Sequence, residues 1–227
     1  MFVGHYGPSF AIRAVRPEIP LWVLIVAGQL VDIAWTVLVL AGVEKVRIVP
    51  GITAANPLDL YYMPYTHGLA AVLLWSVAAA VVCRAAFRWR GWVAAAWVGV
   101  AVFSHWVLDL LTHRPDLPLY GDTAKVGLGL WNYVGISLAL EVLVLVGGLW
   151  MYMAKTRALT TVGRYGPVAW VALMLAIQVT SIYSPPPPSP TVVAATGFVA
   201  YLVFAVVAAW LDRQRAPHAL PRCDAQA

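Results

Sequence analysis

Apolar residues gather along this chain into six stretches separated by short polar segments. They run from about Leu21 to Ala41, Tyr65 to Cys83, Trp92 to Thr112, Leu130 to Met153, Pro167 to Tyr183 and Val192 to Leu211. Crossing about 30 Å of hydrocarbon takes around 20 residues at helical rise, so each stretch predicts a membrane-spanning helix. The loops between them hold Gly, Pro and basic residues, leave no room for a soluble domain and show no repeat of fixed period. Ser184–Pro190 (SPPPPSP) predicts a stiff polyproline II turn between the last two spans. Residues before Pro17 predict a short helix that turns at Pro17–Pro20 (PEIP) and runs antiparallel to the first span. The expected fold class is all-α: one polytopic transmembrane helix bundle over residues 1–227, with a short N-terminal helix (1–16), about six spans and a cytoplasmic tail from 212 to 227.

Composition agrees with this reading. The 227 residues are 62% hydrophobic and 11% charged, with a mean hydropathy of +0.78, whereas a soluble domain is about 25% charged. Cys83 and Cys223 form no close-spaced pair, so the sequence suggests no disulfide framework or zinc knuckle. Met1–Ser9 (MFVGHYGPS) lack the basic start and apolar run of a cleavable signal peptide. The abundant Trp and Tyr read as interfacial anchors and helix packing.

Charge placement then sets an orientation. A net charge of +5 would suit nucleic acid, but eleven of the fifteen Lys and Arg fall on one side of the expected spans. Arg13 and Arg16 precede the first, Arg84, Arg88 and Arg90 follow the second, and Lys155, Arg157 and Arg164 follow the fourth; Arg213, Arg215 and Arg222 follow the sixth. Only Lys45, Arg47, Arg114 and Lys125 fall on the other side. Short basic loops stay cytoplasmic, so the C-terminus is expected inside, the bilayer is the expected partner and nucleic acid is not.

Polar residues inside the spans carry the functional question. Asp32 lies in the first (QLVDIAW), Glu141 in the fourth (LALEVLV), and His105 and Asp109 in the third (SHWVLDLLTH), with His113 a turn further on. His67 opens the second (PYTHG), and His5 stands near the start of the chain. One ionised acid at the bilayer centre costs about 2.5–3.5 kcal/mol, so three would cost on the order of 8–10 kcal/mol unless protonation, pairing, water or a metal compensates them.

Spacing favours shared compensation. His105 and Asp109, four apart, occupy one helix face, and imidazole with carboxylate suits zinc or a related divalent ion. At about 1.5 Å per residue, Asp32 lies roughly 13 Å below the outer end of its span and His105 roughly 11–12 Å below its own. His67 reaches a similar depth if the second helix begins near Leu58 rather than Tyr65. His5 and Asp32 are equally far from the PEIP turn, hence level. Taken singly, His113 and His218 read as structural or surface histidines, His105 with Asp109 as a hydrogen-bonded pair, and Glu141 as a protonated acid. Several such groups at one depth point instead to a site.

The order His5, Asp32 in QLVDIAW, His67 in PYTHG, and His105 and Asp109 in SHWVLDLLTHRPDLPLYG resembles the bacterial inner-membrane metal-dependent hydrolases of the YdjM type. Those are similar in motif order to the zinc-dependent phospholipase C and P1 nuclease group. The resemblance covers about the first 145 residues, including Gly127–Asn132 (GLGLWN) and Glu141. It implies a cytoplasmic (inner) membrane protein in which Asp32, His67, His105 and Asp109 hold one metal, with His5 contributing to a neighbouring metal and sharing Asp109. The leading expectation is a metal-dependent hydrolase of a phosphoester or lipid-like substrate, with Glu141 or His113 as proton acceptor. Two other readings are a proton-coupled transporter that titrates Asp32 and Glu141, and a structural subunit of a membrane complex or homo-oligomer.

Overall fold

A computed structural model describes residues 1–218; Arg222 and Cys223 lie outside the described residues. The protein is a polytopic helix bundle with little sheet. Large apolar side chains such as Leu74, Val82, Leu143, Trp150 and Val206 point outward, as a hydrocarbon environment demands.

Helix α1 (Tyr6–Val15) follows a 3₁₀ turn at Val3–His5. Pro17 and Pro20 then reverse the chain into α2 (Leu21–Gly28), which packs back along α1 as the PEIP turn predicts. At ten residues, α1 reaches only about 15 Å. It lies inside the bundle rather than on it: Val3, Tyr6 and Phe10 are fully buried among Leu145, Leu149 and Tyr152. Gly7 and Gly148 make this seating possible, because a Cβ on either would collide with the backbone of the other helix.

The first span is not one straight helix. Helix α2 and α3 (Leu30–Leu40) meet at a 53° bend. Gly28 must be glycine there, since a Cβ would stand 2.8 Å from Ser9 Oγ and 3.0 Å from the His5 carbonyl. Gln29 (φ −108°, ψ 6°) leaves helical geometry, and the carbonyl of Gly28 faces His105 Nδ1 at 2.8 Å. Non-helical backbone at membrane depth is tolerated where protein satisfies it in this way.

The second span also differs from expectation. Leu58–Tyr62 is not the start of a helix; it is a strand (β2) paired antiparallel with β1 (Lys45–Ile48). Helix α4 begins only at Leu69 and ends at Ala86, so His67 sits in the turn before it. The third and fourth spans are α5 (Val93–Thr112) and α6 (Val134–Lys155). Helix α7 (Thr161–Tyr183) starts six residues earlier than hydropathy suggests, because the Thr160 side chain caps it through Gly163 N. Pro167 lies inside α7 and has no N–H for the Gly163 carbonyl, which instead accepts from Arg215. Ser189 caps α8 (Pro190–Asp212), with Pro190 at its first position.

Arg215–Pro217 forms a strand (β4) paired with β3 (Thr156–Ala158). At the same end, Arg13 donates from Nε to both Asp212 carboxylate oxygens at 3.1 Å, Tyr152 Oη adds a bond at 2.9 Å, and α1 is thereby tied to α6 and α8.

Candidate metal centre

Four segments aim side chains at one point. Helix α5 presents His105 and Asp109 on one face. Asp32 comes from the first turn of α3, just past the bend. His67 comes from the turn ahead of α4, and His5 from the 3₁₀ turn ahead of α1. All five expected ligands are brought together, and His5, His67, His105 and Asp109 are buried.

Asp109 is the pivot. Its Oδ2 lies 3.1 Å from His105 Nε2 and 3.8 Å from His67 Nε2. Asp32 Oδ1 lies 3.6 Å and 3.3 Å from the same two nitrogens. Two groups of ligand atoms, each lying within 4.8 Å of one another, share His105: Asp32, His67 and His105, and His5, His105 and Asp109. The distances from Asp32, 3.6 Å and 3.3 Å, match the edges of roughly 3.3–3.6 Å that a tetrahedral ion with bonds of about 2.0–2.2 Å needs. The other oxygen of Asp109, Oδ1, faces His5 Nε2 at 3.2 Å, His113 Nε2 at 3.5 Å and the Met1 amino group at 2.6 Å.

The partners of the rings assign their protons. His105 Nδ1 faces a carbonyl, that of Gly28, so it must donate. His113 Nδ1 donates to Asp116 Oδ1 at 2.8 Å. Thr66 gives its hydroxyl proton to Glu44 Oε2 at 2.6 Å, so its oxygen is left to accept from His67 Nδ1 at 2.8 Å. Glu44 is held in turn by the backbone N–H groups of Tyr65 and Thr66. Three histidines therefore keep Nδ1–H in a fixed bond and turn Nε2 toward Asp32 and Asp109, the second layer that orients imidazole ligands on a metal.

A carboxylate oxygen at this spacing from Nε2 calls for positive charge, which either a protonated ring or a cation between the two atoms supplies. On the Oδ1 side of Asp109 the Met1 amine supplies positive charge. On the Oδ2 side, among the described residues, no Lys or Arg pairs with Asp32 or Asp109, and His105 Nε2 is buried without a hydrogen-bond partner. Both ring nitrogens of His5 are orphaned as well. The donor set and these orphaned nitrogens fit a divalent ion held by nitrogen and oxygen ligands.

The remaining expected residues fall beside this cluster. His113, the residue that caps the end of α5, reaches back one turn to Asp109, and Trp131 packs on its ring at 4.1 Å. Glu141 accepts from the backbone N–H groups of Phe2 at 2.9 Å and Gly4 at 2.6 Å, with Gln178 at 3.4 Å. It thus holds the segment that carries His5. His218 is exposed and lies away from the cluster, its backbone N–H donating to the Lys155 carbonyl at the far end of α6.

Sequence reasoning missed the supporting layer. Tyr201 Oη and Gln29 Nε2 lie 3.3 Å and 3.5 Å from Asp32 Oδ2, which leaves Oδ1 for the histidines. The last two spans also contribute, α7 through Gln178 beside Glu141 and α8 through Tyr201 beside Asp32. Asp116 was findable, since it stands three residues after His113 in THRPD. The pairing of Glu44 with Thr66 carries no sequence signal.

Fold and site together define a polytopic membrane helix bundle with a buried cluster of histidine and aspartate. No family model, curated protein or solved structure matches the chain.

Proposed function

We propose that the protein is a membrane-embedded metal-dependent hydrolase that cleaves a phosphoester. The observation that carries this reading is the set of three histidines with Nδ1 tied down and Nε2 turned on two carboxylates. The resemblance of its motif order to that of YdjM-type hydrolases is in keeping with this reading. In this reading Asp32, His67, His105 and Asp109 would hold a divalent ion such as zinc, and His5 would join from the other oxygen of Asp109. When bound, such an ion supplies Lewis-acid polarisation of a phosphoryl oxygen and acidifies a water.

In hydrolysis a water oxygen bonds to phosphorus as the ester P–O bond breaks. One water proton passes to an acceptor, and the departing alkoxide takes a proton up. His113 borders the cavity above the cluster, and Asp116 orients it, which supports it as that acceptor. Glu141 spends its lone pairs on backbone N–H groups, which supports a positioning role. The distribution of basic loops supports a reading with the cluster in the outer half of the cytoplasmic membrane and the C-terminus inside.

Elemental analysis of detergent-purified protein, beside a His105→Ala/Asp109→Ala double variant, tests the reading. A divalent transition metal near stoichiometry, lost in the variant, is expected, with chelator-sensitive hydrolysis of p-nitrophenyl phosphate. Absence of bound metal, or equal metal in both proteins, would overturn it.

A further inference from the structure

A cavity of about 600 Å³ starts at Asp32, Asp109, His113 and Glu141 and continues between α7 and α8. On α8 its wall is Val193, Thr196, Gly197, Ala200 and Tyr201, the i, i+3, i+4, i+7, i+8 positions of a single helix face. On α7 it is Ile177, Gln178, Ser181 and Ile182, again one face. Both helices are long and apolar enough to cross a membrane. They touch at the opposite end, where a Cβ on Gly166 would meet Leu211 and the rings of Trp170 and Phe204 pack edge to face. Toward the proline-rich linker the cavity lies between them, and Pro185–Pro187 form part of its rim.

Small side chains make this hollow. On α8 the cavity is bordered by the short side chains of Thr196 and Ala200, while a Cβ on Gly197 would stand 3.5 Å from Thr36 of α3. A phosphoester that arrives from water needs only a polar opening above the cluster. This cavity has carboxylates and an imidazole at the cluster; residues 50–60, in and around the β1–β2 turn, line part of it, and faces of two membrane helices line another part. Its size is that of a ligand site.

From this we propose that the substrate is an amphiphile drawn from the bilayer: a phosphoester on a hydrocarbon chain, with the chain between α7 and α8 and the phosphate facing Asp32 and Asp109. The proposal rests on the reading of the cluster as a phosphoester-cleaving metal centre, but the chain site can be tested apart from it.

The protein is reconstituted in phosphatidylcholine nanodiscs doped with a phosphatidic acid whose acyl chain carries a diazirine, then irradiated and mapped by mass spectrometry. Label is expected on the facing surfaces of residues 177–182 and 193–201. Ala200→Trp, which fills the hollow, is expected to cut that label by about tenfold, the loss of roughly two buried methylenes of contact. Thr196→Leu, a milder filling, is expected to cut it in part. Leu202→Trp, on the outward face of α8 and 45% exposed, is expected to leave it unchanged. Metal content, measured on the same samples, is expected to be equal in all four proteins. Label spread evenly over the outer helix faces, or undiminished in both filling variants, would overturn the chain site even with metal bound. Label confined to the cavity in a protein that binds no metal would keep the chain site and remove the hydrolase reading.

Discussion

The imidazole of His5 lies flat on that of His105, with ring centroids 3.7 Å apart and planes 5° from parallel. Two cationic rings at that spacing would repel by about 4 kcal/mol at an effective dielectric of 20. The stack therefore favours at least one neutral ring, the form that ligates a metal. His5→Phe keeps the stack and removes both nitrogens. Metal affinity is expected to fall at least about tenfold, measured by competition with a chromogenic chelator, while the protein still elutes as a folded species. Unchanged affinity would make His5 a packing residue.

Thr66 is fully buried between Glu44 and His67. Thr66→Val keeps its shape but leaves His67 Nδ1–H without an acceptor. Metal affinity is expected to drop about 10–100-fold, with Thr66→Ser restoring it. Equal affinity for Val and Thr would show that this relay does not set the orientation of His67.

Glu141 separates two roles. As the clamp on Phe2 and Gly4, its replacement by Ala orphans buried donors at about 1–3 kcal/mol each. Glu141→Ala is then expected to lower the thermal midpoint and the metal content together, with Glu141→Gln intermediate. If Glu141 were instead a proton acceptor, Glu141→Gln would abolish turnover with both quantities unmoved.

Asp212 neutralises a buried arginine, the two side chains being 12% and 8% exposed. Asp212→Ala strands Arg13 and is expected to cost about 3–5 kcal/mol. Arg90→Ala, on an exposed loop residue, is expected to stay within about 0.5 kcal/mol. Thermal unfolding in detergent reads both, and similar midpoints for the two variants would discount the Arg13–Asp212 tie.

Hydropathy made the spans legible because a helix in hydrocarbon must be apolar along its whole length. It could not show the bend at Gln29, since Gly28 and Gln29 alter a window average very little; what bends the span is the passage of α1 against Gly28. The four-residue spacing of His105 and Asp109 gave away a shared face. The sequence brings His67 level with Asp32 only if a helix begins near Leu58, and the structure brings it beside Asp32 and His105 without one. Leu58–Tyr62 (LDLYY) is too short for periodicity to tell strand from helix, and the hairpin it forms delivers His67 from a turn instead. The residues behind the ligands, Glu44, Thr66 and Tyr201, are distant in sequence from the histidine or aspartate they steady, apart from Thr66 beside His67. Only folding makes them neighbours.

The seating of α1 has a bearing on biogenesis. A segment that spans about half a bilayer cannot anchor itself across one, and its berth is walled largely by α6, which leaves the ribosome much later. His5 must therefore wait at the membrane until the second half of the chain has been inserted. Completion of the centre, and with it any uptake of a cation by His5 and Asp109, is a post-insertional event.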